Sequence, residues 1–271
     1  YIHSVQSLYP SGKVEGDAAR VITEEPDYKS VITDANLRRR MGRLLKMSMY
    51  CGLKSLDGIE SDDVAGIITS TGMGFMKDTV VFGNSIFDRD EDMLNPSPFM
   101  QSTFNTVSGY LALMRKVRAY NTTYVHGGFA AALADASMLL TESASGLQNP
   151  ENQSKSVLIG AFDEVTAEVD TLRRMLLGDD CLPLGEGACS FLLSLSPSDI
   201  ILNSFGPTSC DNDVPEDIFL CSSYVDEMGA FPSMLPVLLC RLISEGSIKP
   251  GVFAIVDDVN PGGYTLLLEK Q

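Results

Sequence analysis

Between Asn121 and Leu140 the chain reads NTTYVHGGFAAALADASMLL, and the residue there with chemistry to offer is His126. The β-branched and aromatic run Thr122–Val125 predicts a short strand. It stops at His126-Gly127-Gly128, and the Ala-rich stretch beyond predicts a helix over about 128–142. A strand that turns sharply into a helix lifts one side chain onto the helix N-terminus, where backbone N–H groups stabilise an anion. That is the framework of an acyl-transfer site, but its attacking atom is missing. Neither Ser nor Cys stands at the turn, and His126 and His3 are the only histidines in 271 residues.

His126 admits three roles. The first is structural, a capped ring filling the place of an absent nucleophile. The second is a hydrogen-bond partner for a thioester carbonyl or a carboxylate, and the third a general acid or base. Partial burial at a helix N-terminus is expected to hold the ring neutral. Gly127 and Gly128 fit a close backbone approach at the turn and, with Phe129, would border any retained anion site. Gly262-Gly263 reads first as a hairpin turn.

Composition narrows the classes. The 44% apolar content describes a globular chain that can bury a large α/β core. A net charge of −16 excludes nucleic acid and anionic membrane as general partners. No apolar run approaches the roughly 18 residues a membrane span needs. The six cysteines (Cys51, Cys181, Cys189, Cys210, Cys221, Cys240) show no CxxC pairing and no neighbouring histidine, so neither a metal nor another cofactor is expected. The chain starts at Tyr1, so loss of an initiator or tag residue is expected, and no secretory leader pattern follows. Reduced thiols in a cytoplasm are the expectation.

The elements that must hold the turn alternate. A strand is predicted at Ile2–Leu8 and a helix at about Asn36–Leu53, capped by Asp34 and ended by Gly52. Its apolar face is Leu37, Met41, Leu44, Leu45 and Met49, with Arg39, Arg43 and Lys46 opposite. The buried strand Val64–Thr71 runs into Gly72-Met73-Gly74. A polar excursion is predicted over 75–98 and one helix over Phe99–Val117, with Phe104 in its apolar stripe. After the turn come a surface loop at Gly146–Ser156, a strand at Val157–Ala161, helical spacing at Leu172, Met175 and Leu176, and a strand at Cys189–Leu195. The pattern then restarts in shorter form: strands at 200–205 and 218–224, a helix at 233–245, and strands at 252–257 and 264–268. This favours a layered α/β fold of two related halves, about 1–196 and 197–271, in a single domain.

Four segments resemble, in order, the β-ketoacyl synthases of the thiolase-like superfamily: VAGIITSTGMG (64–74), PFMQSTFNTVSGYLALM (98–114), the 121–140 stretch followed by VLIGAFDE (157–164), and LGEGACSFLL (184–193). The resemblance implies a thiolase-like α/β/α/β/α fold with a truncated second half. It places His126 where the nucleophilic Cys would stand and Ala230, in Met228-Gly229-Ala230, where a catalytic His is expected. A Cys–His–His condensation site therefore cannot be assembled, since condensation needs a thiolate to hold the acyl chain and polar groups to drive decarboxylation.

What the resemblance then implies is a chain-length-factor-like pseudoenzyme of fatty-acid, polyketide or aryl-polyene assembly, pairing with an active ketosynthase. Asn121, Thr122, Thr123, Tyr124 and Val125 would form the strand at a two-fold interface, in a homodimer or in a heterodimer with a homologous ketosynthase. Phe129, Phe104 and Met73 are candidates for an acyl tunnel, and His126 to Phe129 with Gly262 and Gly263 for substrate contact. Arg38, Arg39, Arg43 and Lys46 would dock an acidic acyl carrier protein. The alternatives are an acyltransferase, thioester hydrolase or malonyl decarboxylase using His126, and a homodimeric scaffold without acyl ligand.

Overall fold

The computed structural model describes the chain apart from residues 13, 15, 90–92, 127, 145–154, 179–180, 208–214 and 216. Gly127, Cys210 and most of the predicted 146–156 loop lie outside the described residues.

One sheet of nine strands runs through the molecule in the order β3-β2-β4-β5-β1-β6-β9-β8-β7. The first half contributes β1 (Ile2–Leu8), β2 (Val64–Thr71), β3 (Tyr120–Val125), β4 (Ser156–Asp163) and β5 (Gly187–Ser194). The second contributes β6 (Ile200–Pro207), β7 (Asp217–Leu220), β8 (Gly251–Val256) and β9 (Tyr264–Lys270). Within the sheet, the strands of the two halves pair at Ile2 and Ile200.

About that joint the order repeats in mirror fashion. In the first half β2 and β4 run parallel and β5 is antiparallel to both β4 and β1. In the second, β7 and β8 run parallel and β9 is antiparallel to both β8 and β6. Strand β3 has no counterpart among the described residues.

Side-chain alternation gives the layers. On β4, Leu158 and Phe162 point into a core shared with helices α2 (Arg43–Ser55) and α5 (Thr106–Arg115). Val157, Ile159 and Ala161 point the other way, into a core shared with α6 (Phe129–Ala144), α9 (Met234–Ser244) and the inner faces of β8 and β9. The result is helix layer, sheet, helix layer, sheet. No described helix covers the far face of β8 and β9, where Val252 is exposed.

Several boundaries differ from expectation. The predicted helix over 36–53 is two helices, α1 (Ala35–Arg40) and α2. Asp34 does cap α1, accepting from the N–H groups of Asn36 and Leu37. The break comes at Met41, which turns extended to bury its side chain, and at Gly42, whose N–H donates to Gln101 Oε1 at 3.0 Å. Gly52 does not end the helix. It lies inside α2, where a Cβ would sit 2.7 Å from Leu111.

The predicted excursion at 75–98 holds α3 (Met76–Arg89) and the start of α4 (Pro96–Ser102), joined by the Phe82–Phe99 ring contact at 5.1 Å. The expected helix over 99–117 is likewise divided into α4 and α5, so Phe104 stands in the turn between them, exposed. Helix α7 (Ala167–Leu177) leaves Met175 and Leu176 in solvent. Strand β7 stops at Leu220, and a 3-10 turn over Cys221–Tyr224 leads into the short helix α8 (Val225–Met228).

Candidate functional site

The strand–turn–helix step exists as β3, His126 and α6. His126 adopts φ +56°, a left-handed conformation that costs an ordinary residue roughly 1–2 kcal/mol. Its N–H donates to Gly72 O at 3.4 Å, which ties the turn to the glycine turn after β2. Gly128 is required by packing, since a Cβ there would lie 2.7 Å from Tyr124 Cβ. The side chain of His126 is exposed, not half-buried as expected, because the left-handed turn sits beyond the end of the sheet. Its ring makes no hydrogen bond or ion pair among the described residues.

Phe129 is buried between Phe191 (6.3 Å) and Tyr264 (6.2 Å), wedged between the two halves. It belongs to the closed core. Phe104 covers the other glycine turn instead, so close to Gly74 that a Cβ there would meet its ring at 2.5 Å. Met73, between those glycines, is half-buried.

The second half meets the turn directly. Gly72 lies against Pro232, with room for no Cβ (2.2 Å to Cγ), and Pro232 follows Ala230 and Phe231. Ala230 is buried and locked by backbone bonds: its N–H donates to Pro183 O, and its carbonyl accepts from Gly185 N. Asn260 Nδ2 donates to Phe231 O at 3.1 Å and so brings the 260–263 turn alongside. Gly262 (φ +71°) and Gly263 join β8 to β9, as a hairpin turn should. The structure thus gathers 72–74, His126, Gly128, 229–233 and 260–263 at one end of the sheet.

What holds this cluster is a residue without an assigned role in the sequence reading. Asp163, buried at the end of β4, accepts from Gly72 N (2.8 Å), Met73 N (3.4 Å) and Thr71 Oγ1 (3.1 Å) through one oxygen. Its other oxygen accepts from Ser233 N at 2.9 Å, at the start of α9. Burial pushes its pKa up, against the pull of these hydrogen bonds. These amides are therefore occupied and free to stabilise no oxyanion.

Asp257, directly after the equivalent strand β8, accepts from Val259 N and Asn260 N in its own loop. Glu164, next to Asp163, is pushed up to about 7 chiefly by burial, with Arg43 pulling it down and Glu186 and Asp78 adding to the rise. The signal for all of these was a pair of acids (Asp163-Glu164, Asp257-Asp258) closing an apolar strand.

Three of the buried thiols are poorly suited to replace the missing nucleophile. Burial raises the pKa values of Cys51, Cys221 and Cys240, the reverse of an activated thiolate. His3 is held on β1 by Ser194 Oγ and Ser196 O. That strand is four positions from β3, roughly 19 Å at the usual strand spacing. Among the described residues no group of His, Cys, Asp and Glu is placed to hold a metal ion. No described helix is long and apolar enough to cross a membrane.

Strand β3 is an edge strand, paired only with β2. Asn121 Nδ2 donates to Ser108 O, Thr123 shares its hydroxyl with Thr69 and Ser108, and Tyr124 OH bonds Asp135, which leaves the outer backbone edge open. A cavity of about 640 Å³ runs along it, between residues 102–105 and 121–123. Of the proposed docking cations, Arg38, Arg39 and Lys46 surround a separate groove. Arg43 does not join them. It forms a two-pronged bond to the fully buried Glu186 (2.7 and 2.6 Å), which also accepts from Ile22 N and Val165 N.

No protein-family model and no curated protein matches this chain. Solved structures do. The ishigamide ketosynthase/chain length factor superposes with a TM-score of 0.74 at 13% identity, covering 99% of this chain and 98% of its own. A type II polyketide acyl-carrier protein in complex with its ketosynthase bound to the hexaketide gives 0.68 at 14%, covering 100% and 99%. A ketosynthase in complex with its chain length factor from Xenorhabdus doucetiae gives 0.58 at 12%, covering 100% and 98%. The chain therefore has the thiolase-like fold of ketosynthases and chain length factors. Within that fold it carries a histidine turn with no thiol.

Proposed function

We propose that the chain is a non-condensing, chain-length-factor-like subunit that pairs with an active ketosynthase in a fatty-acid, polyketide or aryl-polyene type of biosynthesis in the cytoplasm. One observation carries the reading. The turn after β3 holds His126 at φ +56°, a strained position of the kind that would present a nucleophile, and no Cys or Ser stands there. The nearest amides are held by Asp163, and the second histidine is anchored on a distant strand. Such a turn without a nucleophile fits a shape role. The open edge of β3 and the cavity beside it are suited to pairing with the same strand of a partner, in an interface typically above roughly 2,000 Å².

An acid–base role for His126 in hydrolysis or acyl transfer is less favoured, because its ring has no carboxylate or hydroxyl partner among the described residues. The test adds the purified chain to an active ketosynthase and reads product length. Product length should shift, His126→Ala should leave the shift intact, and Tyr120→Lys with Thr122→Lys on the β3 edge should abolish it. Thioesterase or malonyl-decarboxylase activity of the pure chain that disappears in His126→Ala would replace this reading with the enzymatic one.

A further inference from the structure

On the half of the sheet remote from β3, one face is apolar and meets solvent. The register sets its rows: Val252 of β8 stands beside Glu269 of β9, Ala254 beside Leu267 and Ile218 of β7, and Val256 beside Thr265 and Leu220. The alternate positions Phe253, Ile255, Leu266 and Leu268 face the inner core. An antiparallel sheet with one wet face usually carries polar residues on it. Here every outward position of β8 is apolar, Val252, Ile218 and Leu220 are exposed, and Leu267 and Val256 are half-buried.

The first half shows what such a face holds. Mirrored about the joint, β1, β5 and β4 correspond to β6, β9 and β8. Helix α2, 13 residues long, lies across β1, β5 and β4 and shares a core with Ala188, Leu192, Leu158 and Phe162. No described helix lies across β6, β9 and β8 on that side.

Size and charge select the occupant. Four strands spaced about 4.8 Å apart, each offering about 17 Å of length, make a face of roughly 300 Å². A stable dimer buries about 800 Å² on each partner, so a second copy needs more surface than this. A helix the length of α2 is about 20 Å long and about 10–12 Å wide, which fits. The ionised side chain on the face is Glu269, with Asp199, Asp217 and Asp258 at its borders. Of the nearby bases, Lys249 precedes β8 and Lys270 donates to Ile248 O. The balance is acidic, as in the whole chain of net charge −16, and it favours a basic partner. Helix α2 itself carries Arg43, Lys46 and Lys54 and no acid.

We propose that this face docks a cationic amphipathic helix of a partner protein, laid over β6, β9, β8 and β7 as α2 lies over β1, β5 and β4. Its apolar stripe covers Val252, Leu267, Ile218 and Leu220, and a Lys or Arg stands beside Glu269. The site goes beyond the pairing reading and lies in the half away from β3, so either can fail alone.

The probe is a fluorescein-labelled, hydrocarbon-stapled helix as long as α2, with Leu at its apolar spacing and Lys elsewhere. It is read by anisotropy against the full chain at physiological salt. It should bind the unaltered chain, and Val252→Lys/Ile218→Lys should weaken binding about ten-fold by placing charge beneath the helix. Met175→Lys/Leu176→Lys adds the same charge at exposed positions of α7 and should leave binding unchanged. Glu269→Gln, which keeps the size of the side chain, should weaken it about three-fold. Four outcomes would overturn the proposal: no binding by the unaltered chain, equal loss in both lysine pairs, equal binding of a Leu/Glu helix of the same spacing, or a sedimentation mass of the unaltered chain that falls in Val252→Lys/Ile218→Lys. The last would assign the face to a second copy of the chain.

Discussion

The two halves of the sheet share a strand order and end their equivalent strands on the same residue type, yet use them differently. At the end of β4, Asp163 reaches across to the N–H of Ser233 and binds one half to the other. At the end of β8, Asp257 turns inward and orders its own loop. The first half is covered by helices on both faces, and among the described residues the second is covered on its inner face only. The second half still packs on its inner face because α9, almost wholly buried, fills the space between the two halves of the sheet. Among the described residues it shows no second strand–turn–helix and no outer coat. The sheet has an edge strand at each end, β3 in the first half and β7 in the second, and the histidine turn follows β3.

The sharpest break of that comparison lies at equivalent outer-face positions of β4 and β8. Leu158 is fully buried under the helices, so Leu158→Ala should cost about 2–5 kcal/mol in urea unfolding. Val252, on the uncovered face and 46% exposed, should lose no more than about 0.5 kcal/mol as Val252→Ala. Equal losses would mean that the second half is coated after all. Next come the paired carboxylates. Asp163→Asn should destabilise by about 2–3 kcal/mol, because it leaves buried amides of two segments poorly satisfied, and Asp257→Asn by about 1 kcal/mol less.

A pH experiment sharpens the same region. Burial raises the folded-state pKa of Glu164 to about 7, so the folded carboxyl holds its proton more tightly than the unfolded one, which titrates near about 4.3. Stability from this group is therefore greatest below about pH 4.3 and falls as pH rises to about 7. Glu164→Gln should remove that fall and be more stable than the unaltered chain at pH 8, by about 1–3 kcal/mol. Unchanged stability at pH 8 would contradict the assignment. The smallest effect belongs to the turn itself. His126→Gly should gain about 0.5 kcal/mol by relieving the positive φ, and His126→Val should lose about 1 kcal/mol, both read by thermal unfolding.

Elements that bury continuous apolar runs were legible in sequence. VAGIITST, SVLIGAFD and GACSFLLS are strands almost as predicted, and the Ala-rich run is a helix from Phe129. Elements set by long-range partners were not. The break at Met41-Gly42 depends on Gln101, which lies 59 residues away, and Arg43 reads as a solvent-facing cation until Glu186 is folded beneath it. Helix α3 was hidden because its apolar face meets α4 rather than the main core, with Phe87 left in solvent. For the site, the turn and its glycines were visible, because local backbone geometry demands them. The exposure of His126 and the clamp by Asp163 were not, since both follow from where the second half lands.

The central claim, a pairing subunit without condensing chemistry, is tested most directly by co-expressing the chain with the ketosynthase encoded nearest to it and weighing the purified complex at high dilution. The prediction is a one-to-one heterodimer that survives dilution and falls apart in the Tyr120→Lys/Thr122→Lys chain. A stable homodimer that ignores the ketosynthase would contradict it.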